Sequence, residues 1–293
     1  MLAVSLLLWP QVLGAQDRTS GADADADGEP FAAAKAGKLL GAHRIRGRAP
    51  LIDGQLDDEV WELAGAIGDL VQWEPENMAP LSERTVAQVA FDTRYIYVAV
   101  RCFDSSPEGV IAGLGRRDNF PPTDQISIGF DPRHDHQTAY VFETNPSGVQ
   151  SDMRRFDDTR QDRDYDAVWE VVARTTPDGW VAEFRVPFSQ MRFTVPADAE
   201  AVWGFNVRRT IQRKGEEGEW VGRPRGERGN VSRWGHLVFD AQALAPPHDA
   251  WRCSPTFSPV GPTRPAPAMP TSPEPSAPTF GSASDRARRS RPR

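Results

Sequence analysis

Between Arg48 and Asp240 the sequence predicts an all-β domain: an antiparallel β-sandwich of jelly-roll or immunoglobulin-like type, with one short helix near its start. Three observations predict it. Apolar and polar residues alternate with period two through about nine short runs, the pattern of half-buried strands. Gly, Pro, Asp and Asn break those runs at regular intervals, as turns require. Only one segment has helical spacing, which leaves no crossover helices for a parallel α/β sheet.

The helix is Leu56 to Ala64, with Asp57 and Asp58 near its start, where carboxylates suit the helix dipole. The first clear strand, Thr85 to Phe91, places Ala87, Val89 and Phe91 on one side. After a turn at Asp92-Thr93-Arg94, Tyr95 to Phe103 groups Ile96, Val98, Val100 and Cys102, so the two read as a hairpin. Gln125 to Phe130 puts Ile126, Ile128 and Phe130 on one face and stops at Asp131-Pro132. Thr138 to Asn145 alternates again, and the turn Asn145-Pro146-Ser147-Gly148 leads into Val149 to Phe156. Trp180, Ala182, Phe184 and Val186 share a face between Asp178-Gly179 and Pro187. Trp203, Phe205 and Val207 supply another strand, and Leu237 to Phe239 a last one.

The ends read differently. Leu2 to Leu13 is a short apolar run followed by the small-residue site Leu13-Gly14-Ala15-Gln16. A membrane-spanning helix needs about 20 apolar residues, so residues 1–15 read as a secretory leader. No Lys or Arg precedes the run, as expected of a weak leader or one whose start codon lies further upstream. No later segment is apolar enough to span a bilayer, and the expected location is the periplasm, the outer-membrane surface or the extracellular space. Residues 16–47, rich in Ala, Asp and Gly, read as a disordered linker. Asp23-Ala24-Asp25-Ala26-Asp27-Gly28 imitates the opening of a calcium loop, but Ala34 stands where a bidentate Glu is needed. Residues 241–293 are Pro/Ser/Ala/Arg-rich and cannot pack a core. They succeed a well-formed strand abruptly, as in a truncated or frame-shifted gene.

Net charge is −7, which argues against nucleic acid, since phosphate neutralisation needs a basic face. Of the two cysteines, Cys102 lies in an apolar strand and Cys253 in the tail, so a disulfide between them is not expected. Cys102 reads as a small buried hydrophobe.

Leu51-Ile52-Asp53-Gly54-Gln55-Leu56-Asp57-Asp58-Glu59-Val60-Trp61 resembles the opening of family 9 carbohydrate-binding modules. Four later segments are similar to the family in the same order: Glu83-Arg84-Thr85, Tyr95-Ile96-Tyr97-Val98-Ala99-Val100, Ile126 to Pro132, and Gly179-Trp180 to Phe188. Asn145 to Asp152, Trp203 to Arg209 and Ser232-Arg233-Trp234-Gly235 resemble a bacterial subgroup in which such a module precedes a large domain of unknown function, missing here. The resemblance implies a sandwich of antiparallel sheets that holds secreted xylanases and similar glycoside hydrolases against polysaccharide. It implies sugar held between aromatic rings and structural calcium. Related sandwiches bind haem.

A sugar ring presents an apolar C–H face edged by hydroxyls, so its site needs flat aromatics bordered by polar groups. Trp61, Trp169 and Trp180 fall on core faces. Trp73, in Gln72-Trp73-Glu74-Pro75-Glu76-Asn77, and Trp220, in Glu216-Glu217-Gly218-Glu219-Trp220, have polar neighbours and are the candidate platforms. Arg116, Arg117, Asp118, Asp124, Glu143 and Asn145 are the candidate polar partners, because Arg forks and carboxylates bind vicinal hydroxyls well. A structural Arg–carboxylate network is the alternative for them. Asp162, Asp164 and Asp166 have the spacing of the first ligands of a calcium loop, although Ala167 stands where such a loop wants Gly.

Catalysis is not expected. A glycosidase needs two carboxylates at a defined separation, and among 41 acidic residues a pair is always found. No Gly-x-Ser-x-Gly elbow occurs. His134 and His136, in Pro132-Arg133-His134-Asp135-His136, lack a recognisable third metal ligand and read as a solvated turn. Met153 and Met191 have no partner His to ligate haem. The expected function is therefore an exported, non-catalytic carbohydrate-binding module. The alternatives are an envelope assembly module that packs on the missing domain, and a haem-binding sandwich.

Overall fold

The computed structural model describes residues 38–193, 201–240 and Leu244. The chain divides into two units, Met1–Trp251 and Arg252–Arg293, and every described residue belongs to the first. The leader, the calcium-loop imitation, His248, Cys253 and nearly all of the tail lie outside the described residues.

In chain order the elements are β1 (Leu39–Gly41), β2 (His43–Arg44), α1 (Glu59–Leu63), β3 (Ala66–Ile67), β4 (Val71–Glu74), β5 (Thr85–Phe91), β6 (Tyr95–Phe103), β7 (Gln125–Asp131), β8 (Ala139–Thr144), β9 (Gln150–Phe156), β10 (Arg160–Asp162), β11 (Glu170–Thr176), β12 (Gly179–Pro187), β13 (Ala201–Ile211), β14 (Glu216–Glu219) and β15 (Gly235–Phe239). Nine strands form one sheet in the order β1-β15-β13-β7-β8-β9-β10, with β14 beside β13 and β4 beside β14. Six form the other, β11-β12-β6-β5-β2, with β3 also on β5. The β-sandwich expected from alternation is the one observed.

The inward sets pack face to face. Val98, Val100, Trp180 and Phe184 from one sheet meet Ile128, Phe130, Phe142 and Phe205 from the other in one buried cluster. Phe130 and Phe205 stack with ring centres 5.4 Å apart, and Trp203 lies 4.7 Å from Phe239. Each such side chain contributes about 1.5–3 kcal/mol by leaving water. Cys102 is buried there as a free thiol, and burial pushes it up to about 11. Charged side chains also point inward, Arg209 among them. Arg209 is tolerable because it donates to the carbonyls of Arg84 (3.0 Å) and Phe103 (2.8 Å) and to Thr85 Oγ1 (3.0 Å), tying the two sheets at one end.

The helix is shorter than its spacing predicts. Asp58 makes no side-chain cap and instead accepts the Leu51 N–H at 3.0 Å, which folds the preceding loop back. Val60 and Trp61 pack against Ala90, Tyr97 and Ala99, covering the outer face of the six-stranded sheet. Buried Glu183 holds this cover: it accepts Trp61 Nε1 at 3.0 Å and the N–H groups of Asp53 and Gly54, each at 3.1 Å.

The linker boundary at 47 needs correction. β1 adds in parallel to β15 and β2 in parallel to β5, and Leu40 joins the core. Strands of three and two residues are too short to show a period, so their order comes from the edges they complete. Leu244, placed in the tail by sequence, is likewise buried against the core.

Candidate functional site

Alternation that buries Ile126, Ile128 and Phe130 turns Ser127 and Gly129 outward from the nine-stranded sheet. The register then sets Glu143, Ser127, Arg208 and Glu219 side by side across β8, β7, β13 and β14. A second row, Met153, Val141, Gly129 and Asn206, runs next to it, and a third contains Gln125, Thr210 and Glu217. Asp118, Phe120 and Arg163 line one end, around a cavity of about 410 Å³. At the other end Trp234 packs with Val231 over Val141 and Met153. Gly129 makes room for it: a Cβ there would stand 2.4 Å from Trp234 Cη2. The two ends share Ser127, Glu143 and Arg208, so they form one groove with a charged floor.

Burial pushes the Glu143 carboxyl up, against the pull of Arg163, Arg208 and Arg155. Glu219 is raised for the same reason, opposed by Arg208, Arg223 and Arg155. Arg155 is pushed down by burial, partly offset by Glu143, and its Nε has no hydrogen-bond partner among the described residues. Burial also works against Arg208, but Glu217, with which it forms an ion pair, and Glu219 outweigh it. The floor therefore sets carboxylate acceptors beside guanidinium donors, of which Arg155 Nε has no partner among the described residues, an arrangement that can bind a polar ligand.

A family model described as carbohydrate family 9 binding domain-like matches residues 52–240. The chain belongs to this family. No curated protein sequence matches it significantly. Among solved structures, a Bacteroides uniformis protein provisionally assigned as carbohydrate-binding is similar at 14% identity and TM-score 0.54, covering 69% of this chain and 99% of that one. A family 9 carbohydrate-binding module from Caldicellulosiruptor kristjanssonii, in complex with glucose, is similar at 15% identity and TM-score 0.49, covering 69% and 95%.

Against this family 9 framework the expected site residues part company. Glu143 lies on the groove floor and Asp118 on its rim. Trp73, half-buried on β4, carries the Arg223 guanidinium 4.3 Å from its ring centre, so one of its faces is already covered. Arg223 in turn acts on Glu219 and Arg155, which puts the Trp73–Arg223 stack beside the groove.

Trp220 is a correction. It is 2% exposed, packs 5.8 Å from Phe205 and donates from Nε1 to Asp69 at 3.1 Å. A ring in the core is no platform. Asp124 and Asn145 are also corrections, both fully buried. Asp124 accepts the Gln212 N–H at 2.9 Å, whereas Asn145 accepts those of Ser147 and Val149 and donates to the Gly113 carbonyl. Arg117 joins a structural network with Asp152, Asp166 and the Ala167 carbonyl, and Arg116 is exposed on the adjoining turn.

The calcium expectation does not fit these residues. Asp162 faces Arg154 at 2.9 Å, Asp166 faces Arg117 at 3.1 Å, and Asp164 gives Asp162 only its backbone N–H. Among the described residues no three acidic, His or Cys side chains already surround a common point. No described helix is long and apolar enough to cross a membrane.

Sequence reading missed Arg155, Arg208, Glu219, Arg223, Asn206 and Trp234. A signal for some of them existed: Asn206 and Arg208 occupy the outward phase of the strand recognised by Trp203, Phe205 and Val207.

Proposed function

We propose that this chain is an exported, non-catalytic carbohydrate-binding module that holds a neutral oligosaccharide, of xylan or glucan type, in the groove of its nine-stranded sheet during polysaccharide degradation. The observation that carries the reading is the row Glu143, Ser127, Arg208 and Glu219 with Arg155 beside it. Carboxylates accept from sugar hydroxyls and guanidinium forks donate to them. Arg155, Arg163, Arg208 and Arg223 are set against Asp118, Glu143, Glu217 and Glu219 around the groove, so a neutral ligand meets no surplus charge. Family membership supports the ligand class, and the apolar leader Leu2 to Leu13 supports export.

The test is affinity electrophoresis on xylan and mixed glucans, then calorimetry on any oligosaccharide that binds. Arg155→Ala and Glu143→Ala are expected to weaken binding about 10- to 100-fold, the worth of one hydrogen bond to a charged group. Unchanged mobility of the wild type across a broad neutral-polysaccharide panel would defeat the proposal and favour an assembly role. Tighter binding to uronic-acid polymers would overturn the neutral preference.

A further inference from the structure

Strand β11 ends the six-stranded sheet and pairs with β12 alone, in unbroken register from Glu170↔Arg185 to Thr176↔Gly179. It has seven residues, whereas the other strands that end the two sheets, β1, β2, β3, β4 and β10, have two to four. A long edge strand is a template for another chain, and proteins ordinarily blunt it with Pro, a bulge or charged side chains. β11 contains no Pro and shows no bulge, and its two charges, Glu170 and Arg174, are of opposite sign. The two-residue turn Pro177–Asp178 makes Thr176 and Gly179 a hydrogen-bonded pair. Alternation then aims the backbone groups of Glu170, Val172 and Arg174 at β12, and those of Val171, Ala173 and Thr175 at the free edge. No strand among the described residues takes these up. Val171 and Ala173 pack against the core yet stay only partly buried. On the outer face Glu170 and Arg174 are exposed. Glu170 pairs with Arg185 at 2.5 Å, and a Cβ on Gly54 would stand 2.9 Å from Arg174 Cγ.

We infer that β11 is a self-association edge: a second copy of this chain adds its own β11 antiparallel to it, about a two-fold axis at Val172, and joins the two six-stranded sheets. Charge complementarity selects both this partner and this register. An axis at Val172 sets Glu170 opposite Arg174 of the partner subunit, and Arg174 opposite the partner's Glu170. An axis at Val171 or Ala173 sets Glu170 opposite Val172 or Thr176 of the partner subunit and pairs no charges. The backbone agrees with the first register. Val171 and the partner's Ala173 both face the edge, so they exchange two hydrogen bonds, and Ala173 does the same with the partner's Val171. Glu170 and Arg174 then fall on the closer, non-hydrogen-bonded positions, where opposite charges attract most. The contact is isologous, so it closes as a dimer and leaves no β11 edge free. It does not depend on the saccharide reading.

The experiment is analytical ultracentrifugation of the full chain between about 5 and 500 µM. A monomer–dimer equilibrium is expected, with a dissociation constant of about 1–100 µM, as suits a small interface. Arg174→Glu and Glu170→Arg each set like charges opposite one another and should weaken the dimer at least about 10-fold. An equimolar mixture of the two variants restores both opposite-charge pairs and should dimerise about as tightly as wild type. Neither misfolding nor a contact elsewhere on the surface would produce that recovery. Far-UV circular dichroism establishes that each variant is folded. Should Glu170→Arg, which also loses its pair with Arg185, not fold, Arg174→Glu measured against wild type decides alone. A wild type that stays monomeric at about 500 µM, variants that dimerise like wild type, or a mixture that fails to recover would overturn the inference.

Discussion

Trp220→Ala is expected to damage the fold and spare the groove, the opposite of what its polar sequence neighbours imply. The ring is 2% exposed and packs on Phe205, while Gly235 lies directly against it, since a Cβ on Gly235 would be 2.7 Å from Trp220 Cζ3. A glycine has no side chain to swing into the space, so the cavity collapses poorly and the cost falls within the usual Trp→Ala range of about 3–5 kcal/mol. The lost hydrogen bond adds little, because Asp69, 71% exposed at its side chain, is rehydrated. Against a total stability of about 5–15 kcal/mol this is a large fraction. For a domain of this size it lowers the melting temperature by about 6–20 °C. Trp73→Ala should behave in reverse: a cation–π contact worth about 0.5–1 kcal/mol at a half-exposed site is lost at the groove edge, and saccharide affinity falls while the melting temperature drops by only about 1–4 °C. Calorimetric melts of both variants, run beside affinity electrophoresis, separate the two roles. A Trp220→Ala protein that melts within about 2 °C of wild type, below the shift expected for 1 kcal/mol, would refute the packing argument.

Gly129→Ala would drive a methyl into Trp234 and should cost about 1–3 kcal/mol by overpacking, with a changed near-UV circular dichroism spectrum; an unperturbed spectrum contradicts it. Burial raises Glu183 to about 7, with the bonds from Gly54, Trp61 and Asp53 only partly opposing it. The native state therefore holds this proton more tightly than the unfolded chain, and the associated stability, complete below about pH 4.5, is lost as pH rises through about 7. Glu183→Gln should flatten that part of the stability profile in urea titrations, and an unchanged slope between these values refutes the linkage. Glu83 is the reverse case. Burial would raise it, but hydrogen bonds from Lys214 and Ser105 outweigh burial and bring it to about 2. Its contribution is present above about pH 4.5 and lost as pH falls through about 2, so Lys214→Ala should destabilise at neutral pH by about 1 kcal/mol or more and match wild type in strong acid. A difference that persists below pH 2 counts against this account.

Alternation and turn residues determined the sandwich, its core faces and the packing role of Trp180, because a strand's inward and outward sides are set two residues at a time, whereas Trp61 packs from the helix and Trp169 from the segment before β11. The same rule accounts for Trp220. In the stretch from Glu216 to Trp220 the inward positions are 216, 218 and 220, and buried Glu216 is accommodated by the Ser82 N–H (2.6 Å) and hydroxyl (2.5 Å). Charge at an inward position hid the period. Tertiary structure alone decided which strands are neighbours. Glu143 reaches Arg208 only because β7 lies between β8 and β13, and His134 reaches His236 only because β13 carries a glycine between β7 and β15. Those pairs stand 65 and 102 residues apart, and no local pattern encodes a contact at such separation. Such contacts come from the pairing of whole sheets, whose order is selected by the core and not by the residues that the groove and the turn present to solvent.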